Sequence, residues 1–157
     1  MSGSSNTNSS LTIAAQLAKG IVNAHPEKET LGQHVGQRLI MDVAGICIAA
    51  RHEIYVKAAL SSFEQDGHCT VFGFEQKCGV EGAAFVNGIA AHGEDFDDTY
   101  DGGPVHAGVV IVPALLAAAE RHALSGDQLL RGVAIGVEVM CRLCAVAHFH
   151  TNGHTAQ

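Results

Sequence analysis

Apolar residues recur at every third or fourth position over most of the chain, and this spacing predicts α-helices. The pattern is clearest in residues 29–50, where the apolar positions are Leu31, Val35, Leu39, Val43 and Ile46. Further helices are predicted at residues 11–24, 52–62 and 79–94, from a first turn at Pro113 to about Ala123, and after Ser125. The predicted fold class is therefore all-α, a helical bundle of about six or seven helices.

The helix that follows Ser125 carries two local signals. Ser125 and Gln128 have the spacing of a capping box, which marks the start of a helix. The residues after them, up to Leu143, are apolar on nearly every face of the helix. Such a helix is expected to be buried on all sides.

Two segments depart from the helical pattern. Residues 69–74, CTVFGF, are rich in β-branched and aromatic side chains, which predicts a short strand or an extended connection. Gly102, Gly103 and Pro104 follow one another and should interrupt regular structure.

The segment between these helices, residues 87–106, reads NGIAAHGEDFDDTYDGGPVH and has unusual chemistry. It places five acids between His92 and His106, in surroundings dominated by Ala, Val, Ile and Gly. The acids are Glu94, Asp95, Asp97, Asp98 and Asp101. An unpaired carboxylate costs several kcal/mol to bury, so the cluster indicates either cation binding or proton transfer. A solvated acidic loop is the plainer alternative.

Spacing argues against a known metal motif. Asp97, Thr99, Asp101 and Gly102 match the first half of a calcium-binding loop, but the glutamate required at its twelfth position is replaced by Gly108. No second histidine completes an HExxH zinc helix after His92. Cys141 and Cys144 form a single CxxC pair, better explained as buried, inert thiols. We therefore expect no metal.

Charge and composition exclude several classes of protein. A net charge of −7 is unsuited to binding nucleic acid. No run of 18 or more apolar residues would cross a membrane. Residues 1–10 lack the basic and apolar regions of a signal peptide and are expected to form a disordered tail. Five cysteines, an odd number, fit a reducing compartment, so a cytoplasmic location is expected.

The pattern NGxxAHxxDFDDT, followed by a loop, a histidine, an apolar run and PALLAAAE, resembles the MmgE/PrpD family. This family includes 2-methylcitrate dehydratases, cis-aconitate decarboxylases and iminodisuccinate epimerases. Residues 39–50 and 125–143 are similar to two further helices of the family, so the resemblance covers about residues 11–157. Family members are several times longer and add a lid domain. The chain therefore resembles the N-terminal part of the family's helical domain, truncated.

The resemblance implies a cofactor-independent lyase or isomerase, such as a 2-methylcitrate dehydratase, that acts on a di- or tricarboxylate. Its reaction requires proton transfer beside a carboxylate, which suits histidine near neutral pH. The motif match places Asp95, Thr99 and His106 in the active site. A later family histidine corresponds to His154, with His150 as the competing position. The resemblance also implies a homodimer and does not distinguish dehydration, decarboxylation and epimerisation.

Other interpretations of these residues stay open. A structural role for Asp97 and Asp98, as helix-capping or ion-pairing acids that orient the loop, is as well supported as a role in the chemistry. His92 is better explained as a hydrogen-bonded core histidine than as a catalytic group. Basic residues are absent near the acidic motif, so little turnover is expected from this chain alone. A non-catalytic remnant or helical interaction module is the main alternative function, and a metal-binding helical protein is a weaker one.

Overall fold

The computed structural model describes residues 11–28 and 30–146, which form six α-helices and one short β-hairpin. The helices are α1 (Ile13–Asn23), α2 (Thr30–Ala50), α3 (Ile54–Ser61), α4 (Val80–His92), α5 (Ala107–His122) and α6 (Gly126–Val146). A 3₁₀ helix (Pro26–Lys28) precedes α2, and the hairpin strands are β1 (Cys69–Thr70) and β2 (Lys77–Cys78). The prediction of an all-α fold is confirmed. Residues 1–10, with the predicted tail, and both His150 and His154 lie outside the described residues.

Helix α4 is central, because it packs against α2, α3 and α5. Small residues allow this close packing: Ala83 and Ala91 are fully buried, and a methyl group added at Gly82 would press on Phe63. The largest fully buried side chains are mostly valines, namely Val43, Val56, Val71, Val86, Val112 and Val133. Burying each such side chain stabilises the fold by about 1.5–3 kcal/mol.

The hairpin after α3 is fixed to the helices through polar contacts. The strands β1 and β2 pair antiparallel, with Cys69 opposite Cys78. The buried side chain of Asn87 accepts the backbone N–H of Phe72 and donates to the carbonyl of Thr70, both at 2.9 Å. Glu120 of α5 accepts the N–H of Thr70 at 2.7 Å. Residues 69–74 are therefore a two-residue strand and a turn, held by side chains of α4 and α5.

Helix α5 begins at Ala107, so the prediction that Pro113 lies in its first turn is wrong. Proline lacks an N–H, so Pro113 leaves the carbonyl of Val109 without its usual helical donor. This carbonyl faces Gly88 of α4, where an added methyl group would come within 3.3 Å of the oxygen. The interior proline is accommodated at the closest approach of two helices.

Helix α6 starts as predicted but is not buried on all sides. Ser125 and Gln128 form both bonds of the capping box: Ser125 N–H donates to Gln128 Oε1 at 2.8 Å, and Gln128 N–H donates to Ser125 Oγ at 3.3 Å. Only Val133 and Cys144 of this helix are buried, whereas Leu143 is 51 % exposed. Burial on all sides is therefore a wrong prediction, because α2 and α5 cover only part of the helix surface.

Two open apolar clefts lie beside α6 on the flanks of α1. One has a volume of about 700 Å³ and lies between α1, the 3₁₀ helix and α6. The other, of about 910 Å³, lies between α1, α5 and α6. Arg131 of α6 connects this helix to α1, because its guanidinium donates to the carbonyl of Val22 at 2.8 Å. None of the helices in the described ranges has the length and apolar character needed to cross a membrane.

Candidate active site

The acidic motif starts with a tight turn at the end of α4. The N–H of Asp95 donates to the carbonyl of His92 at 3.1 Å, and Asp95 has a φ of 57°. This left-handed conformation is unfavourable for most residues with a side chain, although Asp and Asn tolerate it better than others. The turn reverses the chain, so that the acids after Asp95 pass back over the end of the helix.

Asp97 is the centre of the site. Its side chain has no exposed surface, and its Oδ2 atom lies 3.0 Å from Nδ1 of His92 and 2.9 Å from Nδ1 of His106. His92 is the last residue of α4, and His106 immediately precedes α5. Because α4 and α5 pack along their lengths, the two imidazoles are held on a rigid scaffold. One carboxylate oxygen therefore joins the end of one helix to the start of the next.

Burial of Asp97 requires compensation, because a buried carboxylate is costly unless it is paired and hydrogen-bonded. The two imidazole Nδ1 atoms within hydrogen-bond distance of Oδ2 supply such compensation when each carries a hydrogen. The other oxygen, Oδ1, has no hydrogen-bond partner among residues 11–28 and 30–146. The site therefore retains one buried acceptor that a water, a ligand or another part of the protein would satisfy.

The neighbouring acid, Asp98, has a different function. Its Oδ1 and Oδ2 accept the backbone N–H of Gly108 at 2.9 and 3.1 Å. Gly108 lies in the first turn of α5, where N–H groups lack helical partners and the helix dipole favours negative charge. Asp98 therefore caps helix α5, which is the structural role that the sequence left open for this acid.

The loop between the acids and His106 closes on itself. Tyr100 N–H donates to the carbonyl of Val105 at 3.1 Å, and Gly103 N–H donates to the carbonyl of Tyr100 at 3.1 Å. A methyl group at Gly103 would overlap Sγ of Cys144, so the loop lies directly on α6. The predicted interruption at Gly102 to Pro104 is confirmed as this turn.

Glu94 is held outside the histidine cluster. Its Oε1 accepts the hydroxyl of Tyr55 at 2.8 Å, which ties the turn after α4 to α3. Burial and, secondarily, this hydrogen bond raise the pKa of Tyr55 to about 12. The hydroxyl therefore keeps its proton further into the alkaline range than an ordinary tyrosine does.

The structure brings some of the predicted site residues together. The carboxylate of Asp95 lies with ligand atoms of His92, Asp97 and His106, all within 4.8 Å of one another. The His106 side chain is 28 % exposed, and Thr99 is exposed on the same loop. His154 lies outside the described residues. The catalytic roles of Asp95, Thr99, His106 and His154 stay predictions.

Sequence reasoning missed two members of this cluster. His92 is hydrogen-bonded as expected, but it is not a core residue, since 54 % of its side chain is exposed. Its position at the end of a predicted helix, directly before the acidic residues, could have indicated that His92 belongs to the site. Asp97 could not be distinguished from its neighbours, because its partners lie five residues before it and nine residues after it.

The same cluster could hold a divalent cation. His92, Asp95, Asp97 and His106 offer two imidazole nitrogens and two carboxylates, a donor set that suits zinc and related metals. The separations of 2.9 and 3.0 Å between Nδ1 and Oδ2 are also ordinary hydrogen-bond distances. Hydrogen bonds alone are therefore enough to explain the arrangement. The absence of a metal stays an expectation.

Comparison with known proteins identifies the family. The model of the MmgE/PrpD N-terminal domain matches residues 15–157, nearly the whole chain. The chain belongs to the MmgE/PrpD family. Among curated MmgE/PrpD relatives, cis-aconitate decarboxylase of Aspergillus terreus is 34 % identical over 109 residues, which are 64 % of this chain and 22 % of the relative.

Two other relatives carry similar names. Human cis-aconitate decarboxylase is 43 % identical over 65 residues, which cover 39 % of this chain and 13 % of the human protein. A cis-aconitate decarboxylase-like protein of Aspergillus oryzae is 32 % identical over 87 residues, covering 51 % of this chain and 18 % of the relative. The matched residues of this chain thus cover at most about a quarter of the length of these curated relatives.

Proposed function

We propose that this chain supplies part of the active site of a lyase that decarboxylates a tricarboxylate of the cis-aconitate type. The observation that carries the proposal is the pairing of His106 with the buried carboxylate of Asp97, at 2.9 Å, inside the acidic motif. The names of the relatives favour decarboxylation over the dehydration of 2-methylcitrate, which the sequence resemblance alone had suggested.

The residues suit such a reaction. Loss of a carboxyl group leaves an electron pair on carbon, which must be stabilised and then protonated. In this proposal the imidazole of His106 delivers the proton, and Asp97 holds the ring in place. Asp95 lies beside His106 and would orient the ring or act as an acid/base group, and the hydroxyl of the exposed Thr99 would donate to a substrate carboxylate. No cofactor enters this scheme.

Charge limits what this chain does alone. No lysine or arginine occurs between Lys77 and Arg121, a stretch that includes the whole acidic motif. A substrate with several carboxylates needs cationic groups to offset their charge, and such groups would have to come from elsewhere in a longer enzyme. We therefore expect little or no turnover of cis-aconitate, 2-methylcitrate or iminodisuccinate by residues 1–157 alone.

A segment exchange tests the proposal in an active enzyme. The matching segment of Aspergillus terreus cis-aconitate decarboxylase is replaced by this chain, and release of CO₂ from cis-aconitate is measured. We expect turnover, reduced by roughly 10²-fold or more when His106→Ala is introduced. The matched control is His122→Ala, an exposed histidine at the far end of α5.

Three outcomes would contradict the proposal. A folded exchange enzyme that dehydrates 2-methylcitrate or epimerises iminodisuccinate, but does not decarboxylate, would identify another reaction of the family. A folded enzyme without any of these activities would favour a non-catalytic remnant or interaction module. Activity that survives His106→Ala unchanged would remove His106 from the mechanism.

Metal binding is the second candidate function, and one observation favours it: the cluster of four possible ligands formed by His92, Asp95, Asp97 and His106. Elemental analysis of protein purified without chelators tests it, and we expect no stoichiometric metal.

The remaining expectations are a homodimer and a cytoplasmic location. Exposed apolar residues of α6 support the first, and five free cysteines support the second.

A further inference from the structure

The second histidine of the cluster is bound to Asp97 in the same way as the first. Nδ1 of His92 and Nδ1 of His106 approach the same Oδ2 atom, at 3.0 and 2.9 Å. The centroids of the two rings are 4.9 Å apart, and their planes are inclined by 65°. One buried carboxylate oxygen therefore orients two imidazoles that lie edge to face.

If Asp97 is ionised, this geometry sets the position of the proton on each neutral ring. An ionised carboxylate only accepts hydrogen bonds, so each Nδ1 that bonds to it must carry a hydrogen. A neutral imidazole has a single N–H, so Nε2 of each ring is then left with a free lone pair. Asp97 thereby places the same tautomer on His92 and on His106.

Both imidazole rings keep exposed surface. The side chain of His92 is 54 % exposed and that of His106 is 28 % exposed, whereas the Asp97 side chain is fully buried. Since Nδ1 of each ring faces the buried carboxylate, the edge with Nε2 is the part that a solute can reach. Two basic nitrogens therefore belong to one cluster whose ring centroids are 4.9 Å apart.

We propose that His92 is a second proton-transfer group of the site and that Asp97 is the positioning residue for both histidines. This inference rests on the proposed function, and it assigns to His92 a role that the family motif did not suggest. Decarboxylation needs a group that protonates the carbon left by CO₂, and a second imidazole on the same carboxylate can return a proton to that group or protonate another position of the substrate.

The proton balance of each ring is simple. Nε2 takes a proton from solvent or substrate, and the resulting imidazolium keeps its Nδ1–H on Asp97. When a carbon that has lost CO₂ is protonated, the Nε2–H bond breaks and a C–H bond forms with the electron pair left on that carbon. The ring returns to the neutral tautomer with Nδ1–H, ready for another cycle.

The tautomers can be measured directly in this chain. Long-range ¹H–¹⁵N correlation spectra of the imidazole rings distinguish the tautomer with Nδ1–H from that with Nε2–H. At a pH where the rings are neutral, we expect both His92 and His106 to carry the proton on Nδ1. In Asp97→Ala both should lose this preference, while the exposed His52, His68 and His122 should keep their wild-type signals.

Asp101→Ala is the matched control, because Asp101 is an exposed acid of the same motif. It should leave the tautomers of both rings unchanged. If Asp97→Ala does not fold, the wild-type spectrum still decides: a proton on Nε2 of either ring would overturn the inference. Zinc added to the wild-type chain gives a further check, since stoichiometric binding with loss of both Nδ1–H signals would make Asp97 a metal ligand instead.

The active exchange enzyme separates this inference from the proposed function. There His92→Ala should lower kcat by roughly 10²-fold with a smaller change in KM, and unchanged kcat would overturn the role of His92. If the exchange enzyme has no activity at all, the proposed function fails, whereas the tautomer measurement still tests the positioning role of Asp97.

Discussion

The carboxylate of Asp98 accepts the backbone N–H of Gly108 with both of its oxygens, at 2.9 and 3.1 Å. This contact joins the acidic motif to the first turn of α5 across the eight loop residues 99–106. It also fixes His106, which lies two residues before Gly108, beside the Asp97 carboxylate. The two adjacent acids therefore have different roles. Asp98 caps the start of α5, and Asp97 orients His92 and His106.

Replacement of Gly108 by alanine should destabilise the chain strongly. The added Cβ would overlap the Asp98 carboxylate and the end of Leu39, so both side chains would have to shift and the cap of α5 would be weakened. We expect the free energy of unfolding to fall by about 1–3 kcal/mol, the usual cost of overpacking. Urea unfolding followed by circular dichroism gives the value.

Gly45→Ala is the control for that experiment. Gly45 lies in α2, and an added Cβ there would meet nothing within 4 Å. Alanine should therefore raise the free energy of unfolding, by about 0.5–1 kcal/mol. Equal effects of the two substitutions would show that the packing around Gly108 is looser than the structure indicates.

Whether the sequence predicts such a contact depends on how far apart the two residues lie along the chain. The capping box of Ser125 and Gln128 involves residues three apart, so a spacing rule finds it. Asp98 and Gly108 are ten residues apart across a loop, and no local rule pairs them. Local preference therefore predicts a first turn at Pro113, whereas the contact between Asp98 and Gly108 places the start of α5 at Ala107.

The candidate site shows the same limit. The family motif directed attention to Asp95, Thr99 and His106, because these residue types recur at fixed spacing. Nothing in the sequence separates Asp97 from the other acids. Its burial and its two partners arise only when α4 and α5 pack, so the positioning residue becomes visible in the structure alone.

Asn87→Ala should be among the most destabilising polar substitutions in the chain. The Asn87 side chain is the partner of the Phe72 N–H and the Thr70 carbonyl, and alanine would leave both groups unpaired. We expect the free energy of unfolding to fall by about 2–4 kcal/mol. Asn23→Ala removes an exposed side-chain bond to Lys19 and should change it by less than about 0.5 kcal/mol. Similar values for both variants would contradict this account.

Ala123→Gly should stabilise the chain. Ala123 ends α5 with a φ of 50°, and Leu124 N–H donates to the Ala119 carbonyl at 2.9 Å, the closing bond of a Schellman motif. Glycine adopts this left-handed conformation without strain, so the free energy of unfolding should rise by about 0.5–1 kcal/mol. Ala114→Gly, at an exposed position inside the same helix, should lower it by a similar amount. Thermal melts of both variants test the contrast.

Stability should decline at alkaline pH because of Cys47. Burial raises the pKa of this thiol from 9.0 to about 12, and the thiol donates to the Asn87 carbonyl at 3.2 Å. Between about pH 9 and 12 the unfolded chain loses the proton while the folded chain keeps it. The unfolded state then binds fewer protons, so the free energy of unfolding falls as pH rises.

The comparison of the wild type with Cys47→Ala isolates this effect, because other groups titrate equally in both. Urea unfolding at a series of pH values above 9 should give a steeper decline for the wild type. Parallel declines would show that Cys47 ionises at the same pH in the folded and unfolded chain.

Asp95 offers a test of whether its side chain serves function or stability. Its φ of 57° is a conformation that glycine prefers, that asparagine tolerates and that alanine resists by about 1–2 kcal/mol. If the carboxylate serves only the site, Asp95→Gly should unfold with the same or a higher free energy than the wild type, Asp95→Asn should be close to it, and Asp95→Ala should be the least stable. Equilibrium unfolding in urea gives this order. A loss of more than about 1 kcal/mol in Asp95→Gly, the scale of a net hydrogen bond, would instead show that the carboxylate holds the turn together.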